Sequence, residues 1–337
     1  MNFILRRLAI ALVTLFLVSV FSFLAFSVIR GDPASLILGT EASAEQVAAL
    51  RAGMGLDRSI GARYLSWLAG FFTGRLGNSV RYRGESISAM IADRLPISFA
   101  LALLSLFFIL LIAVPLSLFS VRREGGLADT LANAFTALSI SVPAFFLGVL
   151  FIWIFGVKAG LFRPGVYIDY RQNFPGFIAC LCFPALAIAL PNAAVLVKFL
   201  RSSLYKELRS DYVRTARSKG GDRSLVLRRH ALRNALVPSI TVLGMVVAEV
   251  FSGSIVIEQV FTIPGIGRLL ISAIRSRDYQ LIQTLVVYIA GVVLIANTLV
   301  DIVIQIIDPR IRLGGPEKWS GRRQRRFAGA RDMVLWE

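Results

Sequence analysis

Residues 8–29, LAIALVTLFLVSVFSFLAFSVI, run without a single charged side chain. A helix of that composition has no face to offer water. In hydrocarbon it satisfies every backbone N–H and C=O internally, and about twenty residues cross a core of about 30 Å. Residues 97–120, 131–157, 177–199, 236–258 and 281–307 meet the same requirement. Six such runs in 337 residues predict an all-α integral membrane protein with six transmembrane helices. The balance of 56% hydrophobic to 17% charged residues agrees, since soluble domains carry about a quarter charged. The first run follows MNFILRR, but it exceeds the apolar stretch of about 7–15 residues in a secretory signal, and no small-residue cleavage site precedes RGDP. It reads as a retained span.

The short connections set the orientation. Arg6 and Arg7 precede the first run, Arg122 and Arg123 follow the second, and residues 201–233 hold ten basic side chains against Glu207, Asp211 and Asp222. The opposite connections, 158–176 and 259–280, hold three each. Both termini are therefore expected on the cytoplasmic side. Residues 30–96 form a connection too long for its charge to count. The net charge of +17 then reflects Lys and Arg facing anionic lipid rather than nucleic acid. Pro115, Pro143, Pro184, Pro191 and Pro238 fall inside the runs, where the missing N–H kinks a helix that its neighbours still support.

Little catalytic chemistry is on offer. The chain has no GxxxxGK[ST] phosphate loop, no HExxH and no CxxC, and His230 is its single histidine, so neither an enzyme nor a metal site is expected. Cys180 and Cys182 share one apolar run, too close to staple the fold, and read as buried, inert thiols. The ionisable residues inside the runs are Lys198, Glu249, Glu258 and Asp301. Lys198, Glu258 and Asp301 lie near run ends and are expected to be structural; Glu249 is the deepest. A proton- or sodium-driven carrier would need a coupled set of such groups near the midplane, and one glutamate is a thin basis for it.

Between the fourth and fifth runs stands DYVRTARSKGGDRSLVLRRHALRN, residues 211–234. Leu204, Tyr205, Leu208, Tyr212 and Ala216 recur at helical spacing and predict one apolar face, with Arg209, Arg214 and Arg217 pointing elsewhere. Gly220-Gly221 can supply the positive φ of a helix stop, and Asp222 can cap a second short helix. The expected design is helix, glycine hinge, helix on the cytoplasmic face. A basic anchor on lipid headgroups would need neither the double glycine nor the acidic cap.

TARSKG at 215–220, preceded by DYV and followed by RHALRNALVP at 229–238, resembles the coupling loop, or EAA loop, of ABC-importer permeases. Other stretches resemble the first of the two permease subunits of the dipeptide, oligopeptide and nickel importers, in this order: RGDPA at 30–34, MGLDRSIGARYLSWLAGFFTGRLGNS at 54–79, VFTIPGIGRLL at 260–270, RDYQLIQ at 277–283 and DPRIRL at 308–313. The likeness covers residues 1–313 and implies the type I importer permease fold with a cytoplasmic coupling helix. It further implies import of a peptide or a related small solute, with partners comprising a second, similar permease, two cytoplasmic ATPases and an external solute-binding protein. No cofactor is then bound by this chain; ATP and Mg²⁺ are used by the ATPases. The residues on which the resemblance places ATPase coupling are Asp211, Arg214, Thr215, Ala216, Lys219, Gly220, Asp222, Arg228 and His230, within a loop taken as 201–235. Arg214 stands where the broader EAA pattern has a glutamate. The translocation path or its external gate is placed on Glu249, Glu258, Pro264, Gly265, Arg268 and Asp278.

Outside the membrane, residues 30–96 are expected to form a small subdomain of two amphipathic helices, with Tyr64, Trp67, Phe71 and Phe72 either at the interface, against the binding protein, or packed on the bundle. Residues 259–280 are too polar to cross. Pro264-Gly265 favours a turn, Gly267 allows a tight approach, and GRLLISAIRSRD has the pattern of a short amphipathic helix. The tail, 314–337, with GRRQRR, reads as disordered and lipid-contacting. The rival readings are a self-contained carrier coupled through Glu249 and a membrane scaffold that transports nothing.

Overall fold

The computed structural model describes residues 2–28, 42–53, 57–79, 82, 84–122, 124–220 and 222–307. RGDPA, MGL at 54–56, Gly221, DPRIRL and the basic tail lie outside the described residues. The elements are helices: α1 (Asn2–Val28), α2 (Ala44–Gly53), α3 (Ile60–Thr73), α4 (Ile87–Arg122), α5 (Leu127–Ser141), α6 (Ala144–Phe151), α7 (Phe174–Leu208), α8 (Asp211–Ser218), α9 (Arg223–Val226), α10 (Leu232–Val260), α11 (Ile266–Ser276) and α12 (Tyr279–Ile307), joined by loops. A wider π-helical turn, Ile152–Lys158, continues α6, and another, Leu227–Ala231, joins α9 to α10.

α7 is the central post. Its most apolar window is 61% buried, against 6% for α12. Small side chains make this possible: Ala185, Ala187, Ala189, Ala193 and Ala194 are fully buried, and residues of that size let α4 and α10 approach closely. α1 and α12 pair at the periphery, tied by an Arg7–Asp301 ion pair of 3.2 Å. Their exposed Leu12, Phe16, Phe21, Ile295 and Leu299 present the surface that lipid favours.

α1, α4, α7, α10 and α12 are each long and apolar enough to cross a membrane. The expected span 131–157 is not one straight helix. It divides into α5 and the α6 arm, bent by 99°. Val142 is extended (φ −104°, ψ 120°), as the residue before a proline prefers, and Pro143 starts α6 with no N–H to continue the ladder. Val114 and Val237 also precede prolines, yet those prolines sit inside unbroken α4 and α10, so packing decides which proline breaks a helix.

α4 begins at Ile87, well before the expected 97, because Ile87, Met90 and Ile91 are buried against α11 and α12 and carry the helix through Pro96. α7 likewise outruns 199, ending at Leu208. Cys180 and Cys182 are half-buried rather than buried, each directing its S–H to a backbone carbonyl, of Phe177 (3.1 Å) and Ile178 (3.3 Å). On α3, Tyr64 bonds Ser19 of α1 at 2.8 Å and joins Trp67 around Phe23, while Phe72 stays 79% exposed. Packing on the bundle therefore accounts for Tyr64 and Trp67 and leaves Phe72 outside.

Candidate functional site

At one end of the bundle the chain leaves α7 and returns into α10 through a hairpin. α7 ends at Leu208, and Ser210 is extended (φ −75°, ψ 154°), which breaks the helix and starts α8 at the next residue. The apolar face expected to run from Leu204 to Ala216 on one helix is thus cut at Ser210. Leu204 is buried on α7, Tyr212 is 39% exposed on α8, and Val213 is the buried residue that seats α8. The Tyr212 hydroxyl donates to Glu207 Oε2 at 2.5 Å across the junction. Burial first, then this hydrogen bond, raises the tyrosine pKa. A raised phenol favours the neutral, donating form in the fold, so the contact holds through neutral pH and weakens only as pH climbs past the tyrosine range.

The expected coupling residues gather on this hairpin. Asp211 opens α8; Thr215 Oγ1 donates back to the Asp211 carbonyl at 2.9 Å, and Arg214 lies 3.8 Å from the Asp211 carboxylate. Asp211, Arg214, Thr215 and Lys219 are exposed, and Ala216 is half-buried. Lys219 ends the helix and Gly220 follows with φ +82°, a conformation natural to glycine. Asp222 Oδ2 accepts the Leu225 N–H at 3.3 Å, the expected cap. Arg228 and His230 lie on the π-helical turn that leads into α10. Leu227, Ala231 and Ala235 on this return limb pack with Leu200 and Leu204 of α7 and Val121 of α4, so both limbs are fixed to the bundle, and α8 between them is seated by Val213 with most of its polar side chains exposed.

At the opposite end, α10 stops through Thr262, whose φ of +57° is unusual for a β-branched residue, and the Ile263 N–H closes on the Glu258 carbonyl at 2.9 Å. Glu258 itself is fully buried. Its carboxylate accepts from Ser98 Oγ of α4 at 2.6 Å and from the Arg268 N–H in the first turn of α11 at 3.1 Å. Ser98 Oγ in turn accepts the Ile266 N–H at 2.8 Å. A carboxylate at a helix N-terminus is favoured by the free amides and the axial dipole. Gly265 and Gly267 are required here: a Cβ on Gly265 would fall on the Glu258 carboxylate, and one on Gly267 would meet the Ile255 backbone.

Arg268 adds a side-chain bond to the Thr262 carbonyl, and Pro264 is part-buried in the turn between them. Asp278 is buried where α11 meets α12, accepting Ser79 Oγ at 2.5 Å and the Leu281 N–H at 3.2 Å. Glu258 and Asp278 therefore sit in packed joints. Thr262→Gly should stabilise the chain by about 1 kcal/mol, since it relieves a left-handed β-branched residue and removes a buried hydroxyl with no partner among the described residues. The thermal unfolding midpoint in detergent checks this, and a fall in the midpoint would contradict it.

Glu249 is placed apart from both ends. It is exposed midway along α10, and no hydrogen bond or ion pair forms to it among the described residues. Asn234, Pro238, Thr241, Met245, Ser252 and Val256 share its exposed stripe at helical spacing. The exposed side of α4, with Phe99, Leu103, Phe107 and Leu111, is apolar by contrast.

A model of the family of binding-protein-dependent transport system inner membrane components matches residues 113–313, and the model of that family's N-terminal part matches 1–102. The chain belongs to this family. Among curated relatives of this inner-membrane component, a probable peptide ABC transporter permease of Sinorhizobium fredii is 34% identical over 310 residues, covering 92% of this chain and 99% of the relative. A putative peptide transport system permease of Brucella abortus is 36% identical over 309 residues (92% and 98%). A dipeptide transport system permease of Lactococcus lactis is 32% identical over 312 residues (93% and 99%). Among solved structures, an inward-facing MetNI methionine ABC transporter chain superposes with a TM-score of 0.51 at 18% identity, covering 65% of this component and 96% of that chain. The likeness supports the fold: a multi-pass inner-membrane component built on the importer permease plan.

Reasoning from sequence missed Val213, Thr262 and Ser98, and it missed a cluster around Asp129 and Arg201. The last left one trace: Arg201 lies three and four residues before Leu204 and Tyr205, on the face that packs.

Proposed function

We propose that this chain is one permease subunit of an ATP-driven importer for peptides or a related small solute, with a nickel chelate, a sugar or an opine as alternatives. The substrate class rests on the peptide and dipeptide relatives. In this reading α8 docks in a groove of a cytoplasmic ATPase, and Gly220 forms the turn that presents it. The observation that carries the reading is the hairpin, in which two limbs are fixed in the bundle and a short helix between them, seated by Val213, keeps its polar side chains exposed. ATP binding would draw two ATPases together, and a seated helix transmits that displacement to the spans.

With α5–α6 counted as a single crossing, the number of spans is even and both termini lie on the cytoplasmic side. The stripe on α10 faces the second permease or the water-filled path, because a carboxylate held toward hydrocarbon costs about 3 kcal/mol even by the milder insertion scales. Pro264, Gly265 and Arg268 then stand at the external end of that path, where a solute-binding protein delivers its cargo.

Reconstitution in vesicles with the second permease, the ATPases and the binding protein tests the assignment. Uptake should require ATP and every partner, and Glu249→Gln should leave it largely intact. Solute movement by this chain alone without nucleotide would overturn the reading, and complete loss of uptake in a folded Glu249→Gln variant would favour a proton-coupled carrier.

A further inference from the structure

We propose that a buried ionic joint between Asp129 and Arg201 hands displacement of α8 on to the bent pair α5–α6. This rests on the reading of α8 as the docking helix. α7 runs unbroken to Leu208, and Arg201 lies on it about two turns before that end. Its side chain is 9% exposed and that of Asp129 is 14% exposed. Arg201 forms an ion pair with Asp129 and donates to Asn133 Oδ1 at 2.8 Å. Asp129 also accepts from Ser120 Oγ (2.7 Å), Tyr205 OH (3.1 Å) and the Gly125 N–H (3.2 Å). One carboxylate thus gathers the end of α4, the first turns of α5 and the last turns of α7.

A pair this buried is weak evidence for stability, because the cost of removing two charges from water offsets their attraction. Its geometry supplies something different. The planar guanidinium reaches two acceptors on successive turns of α5, which fixes orientation as well as distance. Apolar helices in contact can slide by small shear steps, whereas this joint cannot shear without breaking charge-assisted hydrogen bonds. The exposed Arg209–Glu124 pair, 3.1 Å, repeats the link between α7 and the α4–α5 turn at the surface. α5 then leads straight to the 99° bend, and α6 beyond it packs on α7 and α10. A movement of α8 that tilts the end of α7 must carry α5 with it, and the bend redirects that motion along α6.

Nitroxide labels report whether α5 and α7 move as one body. They are placed at Leu127, exposed at the start of α5, and Lys206, exposed near the end of α7, in the full transporter with Cys180 and Cys182 replaced by alanine. The Leu127–Lys206 distance should be unchanged between the nucleotide-free and ATP-trapped states, while the distance from Lys206 to the second permease changes. The double variant Asp129→Ala, Arg201→Ala removes the joint without stranding a buried charge. Its label distance should broaden, and solute imported per ATP hydrolysed should fall by about fivefold or more, the lower end of a coupling between two sites. A wild-type label pair that separates on ATP trapping, or a double variant that imports at the wild-type ratio, would overturn the joint while leaving the importer assignment standing. If the double variant fails to insert, the wild-type distances still decide. Absence of any ATP-dependent change at Lys206 would instead count against α8 as the docking helix.

Discussion

Replacing Gly220 by valine is expected to cut ATP-driven import by about tenfold, because holding a residue with a Cβ in the left-handed region costs about 1–2 kcal/mol. The space around Gly220 is open, so no clash is involved; the penalty comes from its φ of +82° alone. A chain that avoids that conformation must unwind the end of α8 or swing it away from the position it holds here. ATP hydrolysis by the assembled complex should continue, since the proposed function places it on separate ATPase subunits. Gly220→Asn supplies the control, because asparagine tolerates the left-handed region better than other residues with a side chain. Uptake should recover substantially in Asn relative to Val. Equal uptake by wild type and Gly220→Val in vesicles would remove Gly220 from the coupling mechanism.

The second large effect is on folding. Glu258→Ala should destabilise the chain by about 3 kcal/mol, as Ser98 Oγ–H and the Arg268 N–H lose a buried acceptor and a cavity opens beneath Gly265. Glu258→Gln should cost less but not nothing. Its amide keeps one oxygen for Ser98 and turns an NH₂ toward the Arg268 N–H, setting donor against donor. Both losses should concentrate where α10, α4 and α11 meet. Hydrogen exchange over residues 263–270 should therefore quicken more than exchange in α7. Uniform protection across both helices in Glu258→Ala would mean that the carboxylate does not hold α11.

Most of the fold could be read in advance because bilayer chemistry is restrictive: a run such as 8–29 has few alternatives to a spanning helix. The glycine stop and the Asp222 cap of the hairpin were equally legible, since each specifies local geometry with little help from distant contacts, but the break at Ser210 and the burial of Val213 were not. Arg201 was harder. Counted among the basic residues of a connection, it looked like a topology marker, and only the arrival of α5 beside α7 shows that it is buried and paired. The bend at Pro143 escaped for a related reason. Five prolines carry the same local signature within the runs, and the helices around each one determine whether it kinks or breaks. Glu258 was expected to be structural from its position near a run end, but its partners are 160 residues away at Ser98 and ten away at Arg268.

The bend also bears on how the polypeptide enters the bilayer during synthesis. α5 has 15 residues, and α6 with its π-helical turn has eight and seven, so each arm is about 22 Å long at 1.5 Å per residue, short of the thickness of the hydrocarbon layer. Neither arm can settle there alone. Stable integration of the pair is expected to wait for α7, which the ribosome makes next and against which both arms pack.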